Sequence, residues 1–151
     1  MRQERSGPEH NTARGWAQGW ARTDDGAMVA LNREQFEALV EEAMTELPAE
    51  FLQHMHNVAV TVADWPSPGE LKRAGVAHPL QLFGLYEGIP LTKRGAHYNL
   101  VAPDRIILYQ GPLQMAAHSL PALREQIRRT VVHEIAHHFG IGEGRIRELG
   151  Y

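Results

Sequence analysis

The sequence predicts an α+β domain: a small sheet with helices packed on one side, closed by a long helix near the C-terminus. Three observations carry this. "VAVTV" (Val58 to Val62) and "RIILYQ" (Arg105 to Gln110) are short aliphatic runs that read as strands. An irregular middle, punctuated by Gly and Pro, separates them. Helical periodicity precedes the first run and follows the second, so the order is helix, strand, irregular middle, strand, long helix.

The elements follow in order. Residues 1–28 are rich in Gly, Arg, Asp and small polar residues with no apolar period. They are expected to form a disordered tail, leaving 29–151 as the folded domain. Trp16 and Trp20, in the near-repeat "GWAQGWA", would share one face if that stretch were helical. Asn32 is an N-cap candidate with Gln35 as its capping-box partner. Phe36, Leu39, Val40, Ala43, Met44 and Leu47 then form one apolar stripe. Pro48 ends that helix or starts the next turn, and "AEFLQHMHN" continues as a second short helix.

"VAVTV" is expected to be a buried strand, and "ADWPSPGE" a loop. "LQLFGLYEG" is a further strand candidate with Gly84 inside it. "GIPLTKRGAHYNLVAPD" reads as connection, with a short strand near Tyr98 to Val101. Gly111 and Pro112 break the second confident strand. Ser119 can cap the last long helix, and Pro121 fits its first turn. No breaker follows until Gly140, and Leu123, Ile127, Val131 and Ile135 supply its core face.

Composition excludes several function classes. A chain of 151 residues with 43% hydrophobic and 22% charged residues fits one globular domain. The formal net charge of −3 gives no basic surface for nucleic acid or an anionic membrane. There is no cysteine, so disulfides and thiolate metal ligands are excluded. No apolar run approaches the roughly 20 residues of a membrane span. "MRQERSGPEH" has no hydrophobic signal core. A soluble cytoplasmic protein is expected. Its oligomeric state is not legible.

The chemistry concentrates in "HEIAHHFGIGE", His133 to Glu143. His133 and His137, four residues apart on a helix, project from one face, and two neutral imidazoles at that spacing can bind one zinc. Glu134 lies about 100° round from His133, beside the metal rather than on it. A carboxylate there can take a proton from a water that the ion activates. Gly140, just past the helix, can adopt the left-handed cap that turns the chain back. Glu143 would then reach the metal as third ligand, with Glu148 as the alternative acid.

His138 is about 100° off that face and reads as solvent-facing or supporting. A purely structural reading takes the segment as a histidine-rich helix end, where imidazolium favours the helix dipole. That explains the histidines but not the spacing of the glycine and the acid. His54 and His56 read as surface residues at a helix-to-strand junction. His78, His97 and His118 read as loop residues. His97 with Tyr98 could approach a substrate. Arg94 and Asp104 read as a loop ion pair or turn residues.

These residues carry a resemblance. The H-E-x-x-H-x-x-G-x-x-E spacing of "HEIAHHFGIGE" resembles the metzincin form of zincin metallopeptidases, with Glu in the third-ligand place. "FEALVEEAMTELP", "NVAVTVAD", "LFGLYEGIPLTKRG", "PDRIILYQGPL" and "VVHEIAHHFGIGEGRIRELGY" together resemble the small bacterial zincin-like metallopeptidase family over about residues 34–151. The resemblance implies a minimal zincin-like fold: a small twisted mixed sheet, helices on one side and a C-terminal active-site helix. It implies zinc ligands at His133 and His137 and a catalytic Glu134. The family usually has Asp where this chain has Glu143, and the sequence stops short of the methionine turn of metzincins.

The function expected is a zinc-dependent metallopeptidase acting on a peptide or protein substrate. His133, His137 and Glu143 would bind the ion, with Glu134 as general base. The alternative is a zinc-stabilised binding module without turnover, in which Glu134 is a bystander.

Overall fold

The computed structural model describes residues 20–22, 28–88 and 103–151. The expected strand near Tyr98 to Val101, and His97, Tyr98, Arg94 and Trp16, lie outside the described residues. Strands β1 (Trp20–Arg22) and β2 (Met28–Ala30) pair antiparallel, with Trp20 opposite Ala30. Trp20 is thus in extended backbone rather than on a helical face.

Helix α1 (Arg33–Thr45) starts as its sequence predicts. The Asn32 side chain accepts from the Gln35 N–H at 2.7 Å, and Gln35 Oε1 accepts from the Asn32 N–H at 2.9 Å. Phe36, Leu39, Val40 and Ala43 face the core, Met44 packs partly buried against it, and Leu47 follows them in. Pro48 caps the short helix α2 (Ala49–Leu52), which runs into a 3-10 turn at Gln53–Met55.

Strand β3 (Val58–Ala63) pairs parallel with β5 (Asp104–Tyr109), and β4 (Gly84–Glu87) pairs antiparallel with β5, giving the order β3-β5-β4. The central strand is β5. "VAVTV" reads as a buried strand, but β3 lies at an edge of this sheet and is half-buried along its length. β-Branched side chains favour extended backbone at an edge as at a centre, so composition marks the strand and not its place. Gly84 opens β4 instead of interrupting a longer strand.

Two helices occupy stretches that read as breakers. Helix α3 (Pro68–Ala74) begins inside the expected loop "ADWPSPGE". Ser67 caps it, Glu70 returns the bond, and Pro68 takes the first turn, where its missing N–H costs nothing. Helix α4 (Gln110–Ala116) follows β5 directly, with Gly111 and Pro112 in its first turn. They do end the strand, one residue earlier than the sequence suggests, and they start a helix.

Helix α5 (Leu120–Phe139) and helix α6 (Glu143–Glu148) complete the fold. Alternation along β5 divides the core. Ile106 and Leu108 pack in the main cluster with Phe36, Phe51, Leu113, Ile127, Val131, Ile135 and Ile146, from the helices. Ile107 and Tyr109 face the other way, into a smaller cluster with Leu82, against which Leu71 and Ala74 of α3 pack. Each fully buried large side chain contributes about 1.5–3 kcal/mol, so the main cluster fixes α5 against the sheet.

Candidate metal centre

The face of α5 opposite its core stripe carries the site. Ser119 Oγ accepts from the Ala122 N–H at 3.1 Å and starts the helix, with Pro121 in the first turn. Leu123, Ile127, Val131 and Ile135 are all fully buried and set its rotation. That rotation leaves His133 half-buried and His137 exposed on the other face, with ring centroids 6.2 Å apart.

The helix ends at Gly140, whose φ of 73° lies in the left-handed region that favours glycine. The Ile141 N–H donates to the Ala136 carbonyl at 2.8 Å, closing the turn, and Gly142 starts α6 with Glu143 as its first residue. Glu143 Oε2 stands 3.8 Å from His137 Nε2. One donor atom from each of His133, His137 and Glu143 falls within 4.8 Å of the others.

Helix α6 is held from two sides. Ile146 is fully buried, and Arg145 donates to Glu50 Oε1 of α2 from Nε at 2.9 Å and from a terminal nitrogen at 2.6 Å. Arg145 also takes Glu148 at 2.9 Å. Of the two candidate acids, Glu143 therefore faces the histidines, and Glu148 is engaged by Arg145.

Glu134 is half-buried beside this group and points to the sheet. The Tyr86 backbone N–H of β4 donates to Glu134 Oε1 at 2.9 Å. Burial raises the Glu134 carboxyl above its ordinary value, against the Tyr86 N–H and the neighbouring His137, which lower it. This approach depends on Gly84: a Cβ there would stand 2.7 Å from Thr130 Cγ2, one helical turn before Glu134. The Tyr86 ring stacks on His138 with centroids 3.9 Å apart, and its hydroxyl donates to Asp104 Oδ2 at 2.8 Å.

Asp104 thus opens β5 and meets Tyr86, rather than sitting in a turn. His54 is half-buried and stacks on Phe139 with centroids 4.4 Å apart, and His56 is exposed. His78 Nδ1 accepts from the Leu80 N–H at 3.1 Å and caps a 3-10 turn at Pro79–Gln81. His118 is exposed in the loop before α5.

The family described as zincin-like metallopeptidase matches residues 55–151 of this chain. The chain belongs to the zincin-like metallopeptidase family. For this zincin-like chain the matched span runs from the turn before β3 to the last residue. It contains the whole three-stranded sheet, α5 and the His133, His137 and Glu143 group. It leaves α1 outside. A conserved hypothetical protein from T. thermophilus is similar in structure, with a TM-score of 0.45 and 24% identity over 74% of this chain and 97% of that one. No curated protein matches. No helix among the described residues of the zincin-like chain is long and apolar enough to cross a membrane.

Proposed function

We propose that this zincin-like chain is a zinc-dependent peptidase in which His133, His137 and Glu143 hold one zinc ion and Glu134 is the general base. The observation that carries the reading is the convergence of those three donors within 4.8 Å, with a half-buried Glu134 beside them. The donor set fits the ion. Two imidazoles and a carboxylate are nitrogen and oxygen ligands that zinc takes at about 2.0–2.2 Å, and a three-residue set keeps a fourth position open, as catalytic sites do.

Zinc, when bound, lowers the pKa of a water towards about 7 and polarises a substrate carbonyl. The remaining work falls to the chain. Glu134 takes one proton from the attacking water and returns it to the leaving amine as the peptide C–N bond breaks. Its burial brings its proton affinity closer to neutrality than that of an ordinary carboxylate. The Tyr86 N–H holds Oε1, which fixes the carboxylate and leaves Oε2 to take the proton.

The test is a digest of a proteome-derived peptide library by the zinc-loaded protein against its Glu134→Gln variant. Cleavage products from wild type that vanish in the variant are expected. A zinc-stabilised binding module would keep zinc and cleave nothing in either form.

A further inference from the structure

We infer that the hollow beside the candidate metal centre takes a carboxylate of the peptide substrate, held by Arg129. The inference rests on the peptidase reading above. The hollow has a volume of about 270 Å³ and lies between the start of β4 and α5. Gln81 and Gly84 line one wall, Gln126 and Arg129 the other, and His133 and Glu134 close one end. It is therefore continuous with the candidate site.

Reach is the first argument. Arg129 precedes His133 by one helical turn, about 6 Å along the axis. An extended peptide advances about 3.3–3.6 Å per residue. A side chain, or a chain terminus, one or two residues from the scissile carbonyl thus comes level with Arg129.

Charge is the second. Arg129 Nε stands 3.5 Å from Glu125 Oε2, longer than the roughly 2.7–2.9 Å of a charge-assisted hydrogen bond. The same Glu125 is bonded by Arg128, which also bonds Glu46. Arg129 is 44% exposed, so its planar fork of donors is open to a ligand. Gln81 adds to it. Its carbonyl oxygen accepts from the His78 N–H at 3.2 Å, so the polar group it has left is its NH₂ donor. Arg129 and Gln81 together make one end of the hollow a place of donors. Glu134 makes the other end negative, which keeps an incoming carboxylate a turn away from the reacting bond.

Two sources of that carboxylate fit: an Asp or Glu side chain, and the C-terminal carboxylate of a short peptide. The experiment separates them. Fluorescent alanine-based peptides carrying Asp, Asn or Lys at one position, each as free acid and as C-terminal amide, are titrated by anisotropy into the zinc-loaded full chain bearing Glu134→Gln, which prevents turnover. An exposed ion pair contributes up to about 1 kcal/mol, about fivefold in affinity.

The Asp peptide should therefore bind up to about fivefold tighter than the Asn peptide if a side chain is read. The free acid should bind tighter than the amide, for all three residues, if the terminus is read. Arg129→Ala should abolish the preference, Arg129→Lys should keep its direction, and Arg129→Glu should favour the Lys peptide. Melting curves control for folding. Equal binding of acid and neutral forms, a preference that survives Arg129→Glu, tighter binding of the Lys peptide by unaltered Arg129, or no binding of any peptide overturns the inference. Cleavage separates it from the peptidase reading. Preference without cleavage by wild type removes only that reading, and cleavage without preference removes only this inference.

Discussion

The backbone N–H of Tyr86 donates to Glu134 Oε1 at 2.9 Å, joining an edge strand of the sheet to the helix that carries the histidines. The contact spans 48 residues of sequence. It exists because Gly84 lets the start of β4 lie against Thr130, which brings the strand within reach of the carboxylate one turn further along α5.

Gly84→Ala tests that approach. Its Cβ would meet Thr130 Cγ2 at 2.7 Å and the Ile107 carbonyl at 3.2 Å, so strand and helix must separate. Overpacking of this kind costs about 1–3 kcal/mol, measured as a fall in the urea midpoint. Thr130→Ser removes the methyl group and keeps a hydroxyl able to bond the Gln126 carbonyl as Thr130 does at 2.8 Å. The double variant should recover part of the loss, so that it is destabilised by less than the sum of the two single changes. An unchanged midpoint in Gly84→Ala would mean the strand does not sit this close.

Much of this fold is legible where a local rule fixes a local structure. Asn32 with Gln35, Ser119 with Pro121, and Gly140 mark helix ends through bonds and dihedrals that span three or four residues. The same kind of signal is present at Ser67 and Glu70, but "PSPG" reads as a turn, and the capping box inside it opens α3. The half-buried state of β3 is not legible, because edge or centre is decided by its neighbours in the sheet. The site divides the same way. The helical spacing of His133 and His137 and the turn at Gly140 are local. Whether Glu143 or Glu148 faces the histidines depends on how α6 docks, through the burial of Ile146 and the meeting of Arg145 with Glu50, 95 residues away. Tyr86 carries no sequence mark at all, since its backbone makes the contact.

Zinc occupancy should fall as the pH is lowered. An imidazole must be neutral to ligate, so protons compete with the metal as the pH falls. Affinity should rise from pH 5 to pH 7 and be lost as the pH returns. Elemental analysis after dialysis against a zinc buffer at several pH values reads this directly. His133→Ala should lack zinc across the range, and full occupancy in that variant would remove the site from consideration.

The two acids after Gly140 should separate cleanly. Glu143→Ala leaves two protein ligands, so zinc affinity falls, and with it the stabilisation that binding gives the folded state. Glu148→Ala loses only an exposed, solvent-screened pairing with Arg145 and should keep its zinc. Competition with a chromogenic chelator measures both. Zinc lost from Glu148→Ala and retained in Glu143→Ala would reassign the third ligand and make the metzincin-like spacing a coincidence.

Glu134→Gln separates a base from a ligand. Glutamine keeps a side-chain oxygen that can accept from the Tyr86 N–H, so the contact between β4 and α5 should survive and the melting temperature should change little. The residue lies outside the donor group of His133, His137 and Glu143, so zinc content should stay at that of wild type. Only proton transfer is removed, and hydrolysis should drop at least about 100-fold, the low end of what a general base supplies. Zinc content, melting temperature and cleavage rate, measured on one preparation, give three readings that a ligand could not reproduce, since losing a ligand lowers the first two together. A variant as active as wild type on every cleaved peptide would mean that another group takes the proton. A wild type that holds zinc and cleaves nothing would favour the binding module, with Glu134 retained for its bond to Tyr86.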